Sequence, residues 1–195
     1  MFEVLWMTYE GQPLIHQREF SKHNDVKQHI VTSHVEPKLF AWRNCDVALR
    51  NWWNNQIESE FLLVIEWDVY INEKVNIIFG NTFQKGATFQ EIKTAGKPWY
   101  WWRESSKIPM RPAGVVPFGV ALYDRDALNK ICDPKYDNLF RQDIFCELRM
   151  GSVLLDAGVP MNAFGLPSIS YKNTKVSGKG IFHAVKESQI LLARE

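Results

Sequence analysis

The feature that most constrains the fold is an uninterrupted apolar run, Phe61-Leu62-Leu63-Val64-Ile65, that leads directly into Glu66-Trp67-Asp68. Five consecutive large apolar residues are typical of a central strand that is buried on both faces. Strand side chains alternate between the two faces, so Glu66 and Asp68 point the same way at the C-terminal end of this strand. Ligands of open α/β sheets bind outside the carboxyl ends of the strands, so the run predicts such a sheet with a site at these acids.

Weaker patterns predict the elements around this strand. Short apolar runs at residues 4–7 and 29–33 predict two further strands, and the polar residues 17–28 between them fit either a loop or a helix. The spacing of apolar residues between 47 and 57 predicts a helix that is capped by Asp46. A helix followed by a buried strand that ends in acids is typical of an open sheet flanked by helices.

The second half of the chain has a similar alternation. Residues 80–112, which glycines and prolines interrupt, are expected to form a long irregular, Trp-rich surface segment. Residues 115–123 predict one strand, after which Asp124 or Asp126 caps a short helix. Residues 140–157 predict a further helix that ends at Gly158.

Length and charge exclude several classes of protein. The 195 residues suit a single domain, 1–195, and 23 basic against 22 acidic residues leave a net charge of +1, which argues against nucleic-acid binding. No apolar run reaches the ~18 residues of a membrane span and no signal-like stretch opens the chain, so we expect no transmembrane segment and a cytoplasmic location. Three cysteines without metal-type spacing predict reduced thiols. The oligomeric state is left open.

The acid pair after the central strand is the first candidate for chemistry. Two carboxylates on one side of a strand end repel each other, and a divalent cation such as Mg²⁺ or Mn²⁺ compensates that repulsion. The alternative is that Glu66 and Asp68 stand where a strand emerges into water. His183 is a candidate third ligand or a packed histidine, and Lys186 is a candidate phosphate contact or a solvated lysine.

Other polar residues are candidates for catalysis and binding. Glu147, four residues after Asp143 on the late helix, fits either a general base facing a cleft or a solvated helix face. The segment from Arg43 to Asp46 is dense in hydrogen-bonding groups, which fits either a ligand contact or a helix cap. Both interpretations stay open at this point.

The tryptophans of the irregular segment form a third candidate group. Trp99, Trp101 and Trp102 offer flat apolar faces and N–H donors, which suit the recognition of a sugar or a base. The alternative is a lid that packs its own small core.

Three short motifs resemble those of nucleotide-sugar glycosyltransferases of the GT-A fold, particularly bacterial glycosyltransferase-like proteins. They are Trp-Arg-Asn-x-Asp at 42–46, Glu-Trp-Asp at 66–68 and Ile-Phe-His-x-Val-Lys at 181–186, so the resemblance extends from residue 40 to 186. It implies a single-domain, Rossmann-like open mixed sheet flanked by helices. Glu-Trp-Asp stands where that family has its Asp-x-Asp metal motif, with Glu66 in place of the first Asp.

The resemblance also implies roles for individual residues. Asp68 is then a ligand of the Mn²⁺ or Mg²⁺ that bridges the donor diphosphate, Glu66 a secondary or ribose-contacting acid, and His183 a late metal or diphosphate ligand. Lys186 lies beside the phosphates, Asp46 and Arg43 contact the donor on the nucleotide side, and Glu147 is the base. The tryptophans 99, 101 and 102 form the sugar or acceptor surface.

The function expected from this resemblance is metal-dependent transfer of a sugar from a nucleoside-diphosphate donor to a glycan or small-molecule acceptor, as in bacterial polysaccharide biosynthesis. The alternative is a catalytically silent GT-A-like module that binds a glycan or a partner protein. Glu66 in place of Asp favours that alternative. A metal-dependent phosphohydrolase using the same acids is a weaker fit, because the sequence shows no acid or histidine cluster for a second metal.

Overall fold

The structure, a computed structural model, describes residues 1–12, 14, 16–33, 43–54, 57–80, 83–117, 119–164, 176, 179–183 and 185. Its strands are β1 (Phe2–Tyr9), β2 (Gln28–Ser33), β3 (Phe61–Glu66), β4 (Tyr70–Ile71), β5 (Ala87–Phe89), β6 (Glu91–Lys93), β7 (Gly114–Val116), β8 (Val120–Asp124), β9 (Met161–Ala163) and β10 (Ile181–Phe182).

The α-helices are α1 (Gln17–His23), α2 (Cys45–Trp52), α3 (Val75–Phe79), α4 (Arg125–Ile131), α5 (Asp137–Phe140) and α6 (Cys146–Asp156). In the part of the chain that the structure describes, 3₁₀ helices cover Tyr100–Lys107 and Pro134–Tyr136. Among the described residues, none of the helices has the length and apolar character needed to cross a bilayer.

Six strands form a mixed central sheet in the order β2-β1-β3-β8-β5-β9. β1 is parallel to both β2 and β3, β8 is antiparallel to its neighbours β3 and β5, and β5 is parallel to β9. Two antiparallel ribbons, β4 with β10 and β6 with β7, lie outside the main sheet. The fold is thus α/β, with helices around an open mixed sheet, as the sequence predicts.

The central strand β3 supplies apolar side chains to cores on both faces of the sheet. Leu62 and Val64 lie in the core that includes residues of α2, α4, α5 and α6. Phe61, Leu63 and Ile65 lie in the other core, with residues of α1 and α3. This two-sided burial is why the strand reads as a continuous apolar run.

Several predicted elements have other bounds in the structure. The strands predicted at 4–7 and 29–33 are confirmed as β1 and β2, and the ambiguous polar stretch contains α1. The single strand predicted over 115–123 is wrong, because two strands of different sheets, β7 and β8, flank Pro117 and Gly119. The segment 80–112 is not wholly irregular, since it contains β5, β6 and a 3₁₀ helix.

Of the two helix N-caps that the sequence predicts, one is confirmed and the other is wrong. Asp124 is confirmed as the N-cap of α4, because its side chain accepts a hydrogen bond from the amide of Ala127. Asp46 is not the N-cap of α2: that position belongs to Asn44, and the helix ends at Trp52 rather than continuing to residue 57. The late helix α6 begins at Cys146, and Gly158 follows its end with a positive φ of 66°.

Candidate active site

The candidate metal ligands meet at the C-terminal end of β3. Glu66 is its last residue, Asp68 lies in the turn that follows, and His183 directly follows β10. The Nε2 atom of His183 is 3.5 Å from Glu66 Oε2 and 3.6 Å from Asp68 Oδ1. One ligand atom from each residue lies within 4.8 Å of the others, which makes the trio a candidate cation site.

Backbone pairing delivers His183 to the two acids. Phe182, which precedes His183, pairs with Tyr70 across the β4–β10 ribbon. Tyr70 lies only two residues after Asp68 in the chain. The amide of Val185 then donates a hydrogen bond to the carbonyl oxygen of Asp68, 3.0 Å away. The segment that carries His183 is therefore held on both sides of the histidine.

A glycine provides the space into which His183 packs. Gly119 has a φ of +79°, and its carbonyl oxygen accepts a hydrogen bond from the amide of Glu66 at 2.8 Å. A Cβ at this position would lie 2.5 Å from Val69 Cγ2 and 2.8 Å from His183 Cδ2. Because both the backbone conformation and the close approach disfavour a side chain, glycine is required here.

The charges in the trio fit a divalent cation. Burial lowers the pKa of His183, but the neighbouring Asp68 and Glu66 raise it by more, to about 9. Asp68 Oδ1 is buried and makes no hydrogen bond to any described residue, which is a costly state for a carboxylate oxygen. A cation that replaces the imidazolium proton would satisfy this oxygen, so the donor set fits a hard or borderline metal such as Mn²⁺ or Mg²⁺.

An open cleft lies beside the trio. Its polar lining includes Glu66, Glu147 and Asp46, and apolar side chains from the sheet and from α2 and α6 form most of the remainder. The cleft thus joins one predicted metal ligand to the predicted base.

Glu147 lies in the first turn of α6 and is half-buried at the cleft wall. Burial and the negative charge of Glu66 raise the pKa of Glu147, whereas Lys93 and His183 lower it. The net result is a pKa of about 8. The carboxyl is therefore mostly protonated at neutral pH. Lys93 was missed by sequence reasoning, because nothing in the local pattern of β6 marks it as a neighbour of Glu147.

Asp46 and Arg43, which were predicted to contact the nucleotide-sugar donor, both form ion pairs with other residues of the protein. The carboxylate of Asp46 accepts hydrogen bonds from Nε and Nη2 of the fully buried Arg149, at 2.7 and 2.6 Å. Arg43 Nη2 lies 3.1 Å from both carboxylate oxygens of Glu104, and its Nε donates to Asp143. Their roles as donor contacts stay predictions, and the third such residue, Lys186, lies outside the described residues.

The predicted sugar surface is half-buried. Trp101 stacks on Phe145, with ring centroids 3.8 Å apart, and Trp102 Nε1 donates to the carbonyl oxygen of Lys97. The ring of Trp99 lies over Gly114, where a Cβ would be 2.3 Å from Trp99 Cζ3. Much of each ring therefore packs against the protein, and an acceptor role remains a prediction for their exposed parts.

Comparison with known proteins gives a result for fold only. No protein-family model matches the chain, and no curated protein sequence matches it. A putative glucose-1-phosphate thymidylyltransferase from Bacillus anthracis, in complex with a sucrose, is similar with a TM-score of 0.52 and 13% identity, over 100% of this chain and 96% of that chain. An active-site mutant of LgtC is similar with a TM-score of 0.50 and 9% identity, over 93% and 86%.

A glycosyltransferase involved in the glycosylation of the major capsid of PBCV-1 also matches, with a TM-score of 0.41 and 12% identity over 67% of this chain. The present chain spans 63% of that protein's length. Together with the six-stranded mixed sheet and its flanking helices, the two matches with the higher TM-scores show that this chain has a Rossmann-like, GT-A-type fold.

Proposed function

We propose that this protein is a metal-dependent glycosyltransferase that moves a sugar from a nucleoside-diphosphate donor to a hydroxyl group of a carbohydrate acceptor. The observation that carries the proposal is the trio Glu66, Asp68 and His183 at the end of the central strand, beside a cleft that also contains Glu147. The GT-A-type fold supports it, since LgtC is among the structures with a similar fold.

The trio would hold Mn²⁺ or Mg²⁺. When bound, the cation stabilises the negative charge that develops on the leaving diphosphate. Asp68 is the primary ligand in this proposal, because its buried Oδ1 makes no hydrogen bond to a described residue. Imidazole suits Mn²⁺ better than Mg²⁺, so His183 favours manganese. Arg43, Asp46 and Lys186 remain the proposed contacts to the rest of the donor.

Glu147 is the proposed general base. It would accept the proton of the acceptor hydroxyl as that oxygen attacks the sugar, and only the ionised carboxylate can do so. The negative charge of Glu66 contributes to its raised pKa, so a cation held by Glu66 lowers that pKa and favours the ionised form. The exposed parts of Trp99, Trp101 and Trp102 are the proposed acceptor surface.

Titration calorimetry with Mn²⁺ and UDP or GDP tests the donor site. We expect nucleotide binding that requires the metal and that Asp68→Ala abolishes. The matched control is Asp25→Ala, because Asp25 is an exposed acid outside the site. The proposal is wrong if neither nucleotide binds or if Asp68→Ala binds like the unmodified protein.

Nucleotidyl transfer is the second candidate, because a putative thymidylyltransferase is also among the structures with a similar fold, at a TM-score of 0.52. The products distinguish the two reactions: glycosyl transfer releases a nucleoside diphosphate from the sugar donor, whereas nucleotidyl transfer releases pyrophosphate from a nucleoside triphosphate and a sugar 1-phosphate. A silent glycan-binding module would release neither product, and its glycan binding would survive EDTA.

A further inference from the structure

Two thiols lie in contact in the wall of the cleft. The Sγ atoms of Cys45 and Cys146 are 3.4 Å apart, and each cysteine is the first residue of its helix, α2 and α6 respectively. Both side chains line the cleft beside the candidate metal site. Neither is used by the proposed transfer reaction.

A buried ion pair one turn away holds the two helix starts together. Asp46 follows Cys45 in the first turn of α2, and its carboxylate binds Arg149, which lies three residues after Cys146. Arg149 Nη2 also donates to Asn44 Oδ1 at 3.0 Å. These contacts hold the two helix starts side by side, which keeps the sulfurs within reach of each other.

We propose that Cys45 and Cys146 are a reversible oxidation site, at which a peroxide converts the thiol pair to a disulfide. A disulfide requires the sulfurs to move roughly 1.4 Å closer than the observed 3.4 Å, a distance that side-chain rotation and small shifts of the helix ends can supply. The cross-link would join the first turn of α6, which carries Glu147, to the first turn of α2.

The order of events follows from exposure. Cys45 is half-buried at the open cleft and Cys146 is buried, so a small peroxide reaches Cys45 first. Its thiol is oxidised to a sulfenic acid while hydrogen peroxide is reduced to one water. The Cys146 thiol then attacks the Cys45 sulfur, the S–S bond forms, and the hydroxyl group leaves as a second water.

Cys132 provides an internal control. It is half-buried, its Sγ lies 3.9 Å from the carbonyl oxygen of Arg50, and burial raises the pKa of its thiol to about 11. The contact with Cys45 and burial raise the pKa of the Cys146 thiol as well, so what sets Cys132 apart is position: the sulfurs of Cys45 and Cys146 lie 3.4 Å from each other, whereas that of Cys132 contacts a carbonyl oxygen. Because a disulfide needs a second thiol within reach, Cys132 should stay outside the cross-link.

The test treats the full chain with hydrogen peroxide, alkylates the remaining thiols after unfolding, and maps the peptides without reduction. We expect a mass loss of about 2 Da, one alkylatable thiol in place of three, a cross-linked peptide that contains Cys45 and Cys146, and full reversal by dithiothreitol. Cys132→Ser should form the same cross-link.

Two single variants separate the steps. Cys146→Ser should stop at a sulfenic acid on Cys45 that dimedone traps, and Cys45→Ser should leave Cys146 reduced. Three alkylatable thiols in the treated protein, or a cross-link that involves Cys132, would overturn the proposal. Because this readout needs neither metal nor donor, it is independent of the proposed transferase activity.

Discussion

The Nε2 atom of His16 lies 2.8 Å from the carbonyl oxygen of Val185 and donates a hydrogen bond to it. His16 is fully buried, and its ring meets Tyr70, the strand residue that pairs with Phe182, edge to face. Val185 and Phe182 flank His183, so His16 supports the backbone on both sides of a candidate ligand. Partners of this kind hold metal ligands in position, although they do not touch the metal.

Replacing His16 should therefore weaken metal binding. We expect His16→Phe to raise the Kd for Mn²⁺ roughly tenfold, as for other residues that support metal ligands. His16→Gln, whose amide can donate the same hydrogen bond, should lose less affinity. Calorimetric titration with Mn²⁺ measures the change. The control is His23→Gln, a half-buried histidine at the last position of α1, the helix that begins directly after His16. Equal affinities for His16→Phe and the unmodified protein would show that Val185 is held without this bond.

Gly119→Ala should damage both stability and metal binding. The new Cβ would lie 2.5 Å from Val69 Cγ2 and 2.8 Å from His183 Cδ2, in a backbone conformation that costs a non-glycine residue on the order of 1–3 kcal/mol. Gly11→Ala is a matched control, because Gly11 has nearly the same φ, +80°, and nothing within 4 Å of its Cβ position. Urea unfolding and Mn²⁺ titration of both variants separate backbone strain from the collision. If Gly119→Ala and Gly11→Ala have the same stability and the same affinity for Mn²⁺, the close approach of His183 to Gly119 does not affect metal binding.

The part of this site that sequence predicts is the part that is local in the chain. Glu66 and Asp68 follow an apolar run whose burial explains both the strand and the position of its end. His183 could be associated with them only through resemblance, since its approach depends on a ribbon between residues 70–71 and 181–182. Gly119 and His16 act through tertiary contacts that no local pattern marks, and neither was predicted.

Asp46 shows why a local rule can fail. An acid before an apolar helix pattern predicts an N-cap, and capping a helix is worth about 1 kcal/mol. In the folded protein the same carboxylate meets a fully buried guanidinium that lies 103 residues further along the chain. Leaving Arg149 buried and unpaired would cost about 3–5 kcal/mol, so the tertiary ion pair outweighs the cap.

Binding of Mn²⁺ should release a proton. His183 is protonated below its pKa of about 9, and a histidine must lose its Nε2 proton to bind a metal through that atom. Between pH 7 and 8 the affinity should therefore rise about tenfold per pH unit. Calorimetry in two buffers of different ionisation enthalpy counts the protons. His183→Ala should bind more weakly and release fewer protons, the remainder coming from Glu147, and a pH-independent affinity of the unmodified protein would argue against His183 as a ligand.

Glu147→Gln should strongly slow transfer while leaving the Kd for Mn²⁺ nearly unchanged, because Glu147 is not among the candidate ligands. General bases typically contribute a factor of about 10²–10⁴ in rate. In the unmodified enzyme the rate should rise with pH through an apparent pKa at or below about 8, since the base works only when ionised. Release of nucleoside diphosphate at a series of pH values measures both effects. A rate that falls over this range would exclude Glu147 as the base.

The buried Glu3 should make folding stability depend on acid pH. Its carboxylate accepts hydrogen bonds from the amides of Glu58 and Ser59 and from the His29 ring. Burial raises the pKa of Glu3, but the bonds from His29, Ser59 and Glu58 lower it by more, to about 2 from an ordinary 4.5.

Because the pKa of Glu3 is lower in the folded state, its stabilisation is complete above pH 4.5 and is lost as the pH falls toward 2. The shift corresponds to about 3 kcal/mol of unfolding free energy. Glu3→Gln cannot ionise, so urea unfolding at pH 2.5–6 should show a lower stability at pH 6 and a flatter pH dependence. Glu10→Gln, an exposed acid one position beyond the end of the same strand, is the control. Parallel pH profiles for Glu3→Gln and the unmodified protein would mean that Glu3 titrates alike in the folded and unfolded states.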